Sequence, residues 1–302
     1  MRDDVIADDE LEALDLAVRG ALASGDLSGL AVLGFGELSV ALGWPVDEPR
    51  FVCKRTPPFT PPQFAAYRDT VVEYVDRLRA AGLDVVDTSV RSIEHGSRVH
   101  AYLVQPMLDP STLGERVLGG ATPDPDHPYL RALAEVLSIV TPHLSVDAQV
   151  TNFSFDGERL TLVDVGTPFL WDDTGSLQFD LGPFLRMLSA PLRPIVAREM
   201  HKTVQRWREP RTVAVDIVAN LYREQMPEWV EPTIDAMNRR WQWEAPIEAG
   251  EAQAIYDEDR KLWPLLKRLQ AVERGWQHKV RRRPYDFFIH STFADREHRP
   301  SA

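Results

Sequence analysis

Residues His143 to Gly166 read HLSVDAQVTNFSFDGERLTLVDVG. Asp147 is followed five positions later by Asn152. A short hairpin follows, strand Phe153-Ser154-Phe155, turn Asp156-Gly157-Glu158 and an apolar strand from Leu160 to Val163, and Asp164-Val165-Gly166 closes it. Hard divalent cations take oxygen ligands. Three oxygen-bearing side chains beside a small sheet are what a magnesium–triphosphate site needs, and the rest of the chain is read outward from this stretch.

Length and composition bound the answer first. A chain of 302 residues with 44% hydrophobic content can build one large core or two lobes that share a cleft. The 34 Lys and Arg stand against 46 Asp and Glu, a formal net charge of -12, which opposes adhesion to nucleic acid or anionic lipid. Cys53 is the single cysteine, so neither an internal disulfide nor a cysteine zinc site can form, and a reducing cytoplasm fits. The acidic start MRDDVIADDE lacks the basic region of a signal peptide, and no apolar run is long enough to span a bilayer.

Upstream, Asp8 to Ala23 carries Leu11, Leu14, Ala17 and Val18 on one helical face and predicts an N-terminal packing helix. Leu30 to Leu42 reads as strand, glycine turn, strand around Gly34-Phe35-Gly36-Glu37-Leu38-Ser39. Amides in such a turn can face phosphate oxygens, although the same pattern also closes ordinary hairpins. In the strand Arg50 to Arg55, alternation sets Val52 and Lys54 opposite Phe51, Cys53 and Arg55. Lys54 can extend toward a phosphate or snorkel to the surface. Thr60 and Pro61 open a helix to Ala81 whose apolar face holds Phe64, Tyr67, Val71, Tyr74, Val75 and Leu78. Glu73 lies close to that face, where it can pair with Lys54 or be solvated. Strands are expected over 87–94 and 98–105, with Pro106 ending the pairing, and a helix over 129–140. From Pro194 to about Gln277 the pattern is helical and Trp-rich, and the basic run at 279–283 reads as a solvated helix end, with a phosphate or acceptor contact as the lesser alternative.

In this order the pieces resemble the protein kinase-like superfamily, closest to the aminoglycoside phosphotransferase and choline kinase branch, over roughly Leu30 to Leu188. GFGELSV resembles the glycine-rich loop, with Ser39 in the third glycine's place; VCK resembles the third-strand lysine motif; YLVQPM resembles the adenine hinge; Asp147 and Asn152 keep the catalytic-loop spacing; Asp164-Val165-Gly166 takes the metal-binding position; and FDLGPFL, with Asp180, resembles a further element of the small-molecule branch. The resemblance implies an α+β, bilobal fold. A small antiparallel sheet with one long helix would form a nucleotide-binding lobe over 1–106, and a larger helical lobe over 107–302 would carry the catalytic loop and acceptor site.

The implied function is ATP-dependent phosphoryl transfer to a small-molecule or natural-product hydroxyl, with Mg²⁺. Asp147 would be the base; Asn152 and Asp164 would hold Mg²⁺; Gly34, Phe35, Gly36 and Ser39 would cover the phosphates; Lys54, oriented by Glu73, would hold them; Gln105 to Met107 would meet adenine. The helical region of about 194–290 would select the acceptor. Ser145 stands where kinases carry a structural His two places before the base, and Gln149 where protein kinases often carry Lys. Two alternatives remain open: a kinase-like binding or scaffold protein without turnover, and a kinase-fold enzyme performing nucleotidyl transfer or peptide modification.

Overall fold

The structure, a computed structural model, describes residues 5–35, 39–186, 188, 190, 192–258 and 260. Gly36, residues 261–277 of the expected helical region and the basic run at 279–283 lie outside the described residues. The architecture is α+β.

Helix α1 (Asp8–Ser24) ends at Gly25, which takes a left-handed φ of 78°. Strands β1 (Ala31–Phe35), β2 (Val40–Trp44) and β3 (Phe51–Arg55) follow as an antiparallel run. Helix α2 (Pro61–Ala80) starts as the sequence predicts: Pro61 sits in the first turn and Gln63 Oε1 accepts the Thr60 amide at 3.2 Å. After it come β4 (Asp84–Val85), β5 (Ser89–His95) and β6 (Arg98–Pro106). The larger sheet is antiparallel, in the order β1-β2-β3-β6-β5.

Pairing does not stop at Pro106, because Pro106 lies opposite Phe51 and the Met107 amide donates to the Arg50 carbonyl at 2.8 Å. A proline lacks a donor but still occupies a register position where no donor is required.

The two faces of this sheet bury different partners, as strand alternation requires. Leu42, Phe51, Cys53, Tyr102 and Val104 pack with Leu11, Leu14 and Val18 of α1. Burial in this layer, with Glu10 near, pushes the Cys53 thiol up to about 12, so the thiol stays protonated and inert. Ala101 and Leu103 face the other way and join Tyr67, Val71, Tyr74 and Leu78 of α2 in the main core. The N-terminal helix is thus the packing element its apolar stripe predicts.

One polar group sits inside the α1 layer. The Asp15 side chain, 1% exposed, accepts from Tyr102 Oη at 2.9 Å and Arg19 Nε at 2.9 Å, and lies 2.7 Å from His95 Nε2. Arg55 Nη2 is 2.6 Å from His100 Nδ1 in the same layer.

The chain continues through a 3₁₀ turn, α3 (Gly114–Gly119) and α4 (Pro128–Val136), whose expected extension to residue 140 tightens into a 3₁₀ turn at Leu137–Ile139. Strands β7 (Phe153–Phe155) and β8 (Leu160–Leu162) form the expected hairpin. Its turn needs glycine: Gly157 has φ 99°, and Asp156 Oδ1 accepts the amides of Glu158 and Arg159. The short β4 pairs parallel with β8, which ties the end of α2 to this hairpin.

Helices α5 (Gly182–Leu185), α6 (Arg193–Arg206), α7 (Pro210–Arg223) and α8 (Val230–Trp241) complete the described chain, with residues 249–258 also helical. Trp229, Ile217, Leu221 and Met237 share the main core with Leu130 and Leu133 of α4. No described helix is long and apolar enough to cross a membrane.

Candidate functional site

Register across the larger sheet builds one wall of the site. Gly34 lies opposite Ala41, Ala41 opposite Lys54, and Lys54 opposite Leu103. Residues directly opposite one another point to the same face, so the glycine hairpin, the lysine and Leu103 form a row. Gln105, two residues beyond Leu103, shares that face. Phe35 points to the other side and packs against the α1 layer, so only its backbone remains for a ligand. Ser39 lies at the far end of the hairpin, just before β2. A Cβ at Gly34 would meet no atom within 4 Å, and its φ is not in the left-handed region. Packing among the described residues therefore does not demand glycine there.

Lys54 crosses from this wall to the stretch His143 to Gly166. Its side chain is 11% exposed, and Nζ donates to the Val163 carbonyl at 2.7 Å and approaches Asp164 Oδ1 at 3.4 Å. Gln105 Nε2 joins it on the same carbonyl at 3.0 Å and also donates to Thr88 Oγ1 at 2.9 Å. A Lys amine this enclosed needs such acceptors to offset its lost hydration. Gln105 therefore meets the site through its side chain. At the expected hinge, the Met107 amide is spent on the Arg50 carbonyl.

The Asp147 loop is closed by backbone bonds. Asn152 Nδ2 donates to the Asp147 carbonyl at 3.0 Å, and the Val163 amide donates to the Asn152 carbonyl at 2.8 Å. Gln149 Nε2 donates to Asp147 Oδ2 at 3.1 Å. Asp147, Asn152, Asp164 and Lys54 thus form one hydrogen-bonded line through Val163. Ser145, where a His is common among kinases, is fully buried; its amide donates to the Phe169 carbonyl at 3.0 Å and its carbonyl accepts from Tyr74 Oη at 3.0 Å. Its hydroxyl has no hydrogen-bond partner among the described residues. The backbone of Ser145, not its side chain, anchors the loop.

The Asp164 end is held in the same manner. Asp164 Oδ1 accepts the Gly166 amide at 3.0 Å, and the Gly166 carbonyl accepts from Tyr67 Oη at 2.9 Å. A methyl at Gly166 would press on Asp164 Oδ1 and Leu103 Cδ1, both at 3.3 Å, so this peptide is confined on two sides.

Glu73 is not part of this assembly. It pairs with Arg77 one turn along α2, at 2.6 Å, with its side chain 43% exposed, and the carboxylate beside Lys54 is Asp164. The expected Lys54–Glu73 contact is replaced for a geometric reason. Tyr67, Val71, Tyr74 and Leu78 turn inward, and Glu73, adjacent to Tyr74 in sequence, points about 100° away around the helix. The two tyrosines are the residues that sequence reasoning passed over as core. Their signal was the hydroxyl, since a buried phenol needs a partner. Asp180 lies at the start of α2, where Oδ2 accepts from Gln63 Nε2 at 3.2 Å, while Arg186 Nη2 donates to Gln63 Oε1 at 2.6 Å.

The donor set fits a hard cation shared with phosphate. Among the described residues no group of three or more His, Cys, Asp or Glu is placed to hold a metal alone. Mg²⁺ does not need one, because it keeps waters and takes phosphate oxygens beside one or two side-chain ligands. With Asn152 Nδ2 committed to the Asp147 carbonyl, the amide assigned from that bond leaves Oδ1 as the atom that could serve as a hard oxygen ligand. Asp164 Oδ1 is engaged by Gly166 and Lys54, and Oδ2 carries no hydrogen bond among the described residues.

A family model described as a family of unknown function (DUF6206) matches residues 13–274. No curated protein matches the chain.

Proposed function

We propose, for a chain that belongs to the DUF6206 family, that the protein is a bilobal kinase-like phosphotransferase that moves the γ-phosphoryl group of ATP to a small-molecule hydroxyl. One observation carries this reading: Lys54 of β3 meets Asp164, Asn152 and Asp147, about a hundred residues later in the chain, in a single hydrogen-bonded line. The strand order of the larger sheet and the open space beside Gly34 support it. Residues 1–106 would form the nucleotide-binding lobe and 107–302 the lobe carrying the base and acceptor site.

Under this reading each residue has a physical task. Lys54 would hold phosphate oxygens, and the amides near Gly34 and Ser39 would cover them. Asp164 Oδ2 and Asn152 Oδ1 would hold Mg²⁺, which neutralises charge on the triphosphate oxygens. Asp147, fixed through its own backbone carbonyl, would orient the acceptor hydroxyl and accept its proton. Catalysis would rest on positioning and charge neutralisation.

A second reading, nucleotide binding without turnover, draws on one feature. Lys54 and Asp164 are paired with each other, and each would have to turn toward a ligand charge instead. Product analysis separates the readings. Incubation with MgATP is expected to release ADP and inorganic phosphate, with water standing in for the acceptor. Release of AMP would identify nucleotidyl transfer instead, and no product despite ATP binding would establish the second reading.

A further inference from the structure

We propose that Tyr67 and Tyr74 are positioning residues that hold the Asp164 and Asp147 loops in place, so that α2 is tied to the site through two phenols and not through Glu73. The inference rests on the phosphotransferase reading and names which side chains tie the long helix to that site.

The two tyrosines are seven residues apart on the buried face of α2, a separation of two helical turns or about 10 Å. Each hydroxyl ends on one functional loop. Tyr67 Oη donates to the carbonyl of Gly166, two residues after Asp164, and Tyr74 Oη donates to the carbonyl of Ser145, two residues before Asp147. Neither bond goes to a carboxylate, so neither consumes a charge the site would use.

Both rings are fixed before the hydroxyls act. Tyr67 is 5% exposed and stacks on Phe59 with centroids 4.9 Å apart, flanked by Phe179 and Phe184, and Tyr74 is 1% exposed. Burial and the nearby carboxylates push both phenols above their ordinary range, so each remains a neutral donor. The charges acting on Tyr74 are those of both Asp147 and Asp164.

The consequence differs at the two loops. The Gly166 peptide is gripped from both ends, its amide by Asp164 Oδ1 and its carbonyl by Tyr67. Loss of the Tyr67 hydroxyl frees the peptide that orients the metal-side carboxylate. Loss of the Tyr74 hydroxyl frees the Ser145 carbonyl and slackens the loop that presents Asp147. Glu73, the α2 carboxylate next to Tyr74, is committed to Arg77.

The test compares Tyr67→Phe, Tyr74→Phe and Glu73→Ala in the full chain, with Lys54→Ala as reference. Phe keeps the ring and its packing, so a space-filling role would leave the readouts unchanged. Tyr67→Phe is expected to raise by about tenfold the Mg²⁺ concentration needed for half of the ATP-induced thermal stabilisation, the worth of one hydrogen bond. Tyr74→Phe is expected to slow ADP release about tenfold while half-saturating ATP moves by no more than about twofold. Glu73→Ala is expected to match wild type in both. Wild-type behaviour of both Phe variants, with ATP stabilisation lost in Lys54→Ala, would overturn the inference and leave the phosphotransferase reading standing. An Mg²⁺ or rate defect in Glu73→Ala would overturn it by showing that α2 acts on the site through its carboxylate. A wild-type protein unaffected by MgATP would overturn both.

Discussion

Asp147→Ala is expected to slow release of ADP and phosphate from MgATP by about 10²- to 10⁴-fold, the usual contribution of a positioned general base. MgATP affinity is expected to hold within about threefold, because the change removes a group that would act on the acceptor and leaves the phosphate contacts intact. The loop should survive the substitution. Asn152 Nδ2 bonds the Asp147 backbone carbonyl, which alanine retains, and Ser145 is anchored through its amide and carbonyl. One cost is the Gln149 Nε2 contact to Asp147 Oδ2, a part-buried bond worth about 1 kcal/mol. A variant that binds MgATP and turns it over at the wild-type rate would remove Asp147 from the base position.

The largest expected effect on stability lies on the other side of the sheet. Asp15→Ala is expected to cost about 3 kcal/mol, because it strips a buried carboxylate from Tyr102, His95 and Arg19 and removes a negative charge that interacts with Arg55. For a chain of this size that corresponds to a fall in melting temperature of about 5 °C.

The same layer sets an acid limit. Burial alone would raise the Asp15 carboxyl, but hydrogen bonds from His95 and Tyr102 and the Arg55 charge bring it below its ordinary value. Its contribution is therefore present above the unfolded carboxylate range and lost as pH falls through the lowered folded value. Burial and the Arg55 guanidinium push His100 the opposite way for a base, from 6.5 down to about 4. The unfolded chain then binds a proton that the folded chain refuses, so stability rises with pH between about 4 and 6.5 and falls on acidification through that window. Denaturant unfolding at pH 7 and pH 5 should show the loss, and a His100→Phe variant should show less of it. Equal midpoints at both pH values would contradict the assignment.

Much of the fold was legible because local signals agreed with tertiary ones. The apolar stripe of α1, the Thr60–Pro61 start of α2, the alternation of β3 and the Asp-Gly turn of the second hairpin each state one structure and found it. The two-residue β4 was not legible, since no periodicity exists in so short a segment. Neither was the polar layer behind the sheet, although Asp15 among Leu11, Leu14 and Val18 was a visible charge on an apolar face.

At the candidate site the spacing of Asp147 and Asn152 was readable because five residues close a loop on a side chain–backbone bond. The partner of Lys54 was not readable. Adjacent helix positions differ by about 100°, and Glu73 and Tyr74 compete for the inward direction. Burial of a large ring favours Tyr74 over a carboxylate that would lose its hydration.

The most direct test of the central claim is calorimetric titration of MgATP into the wild-type protein and into Lys54→Ala and Asp164→Ala. The account predicts saturable binding to wild type that requires Mg²⁺, weakened at least about tenfold in Lys54→Ala and Asp164→Ala by loss of a charged contact. No heat of binding at millimolar MgATP, or binding that both variants retain at wild-type strength, would contradict it.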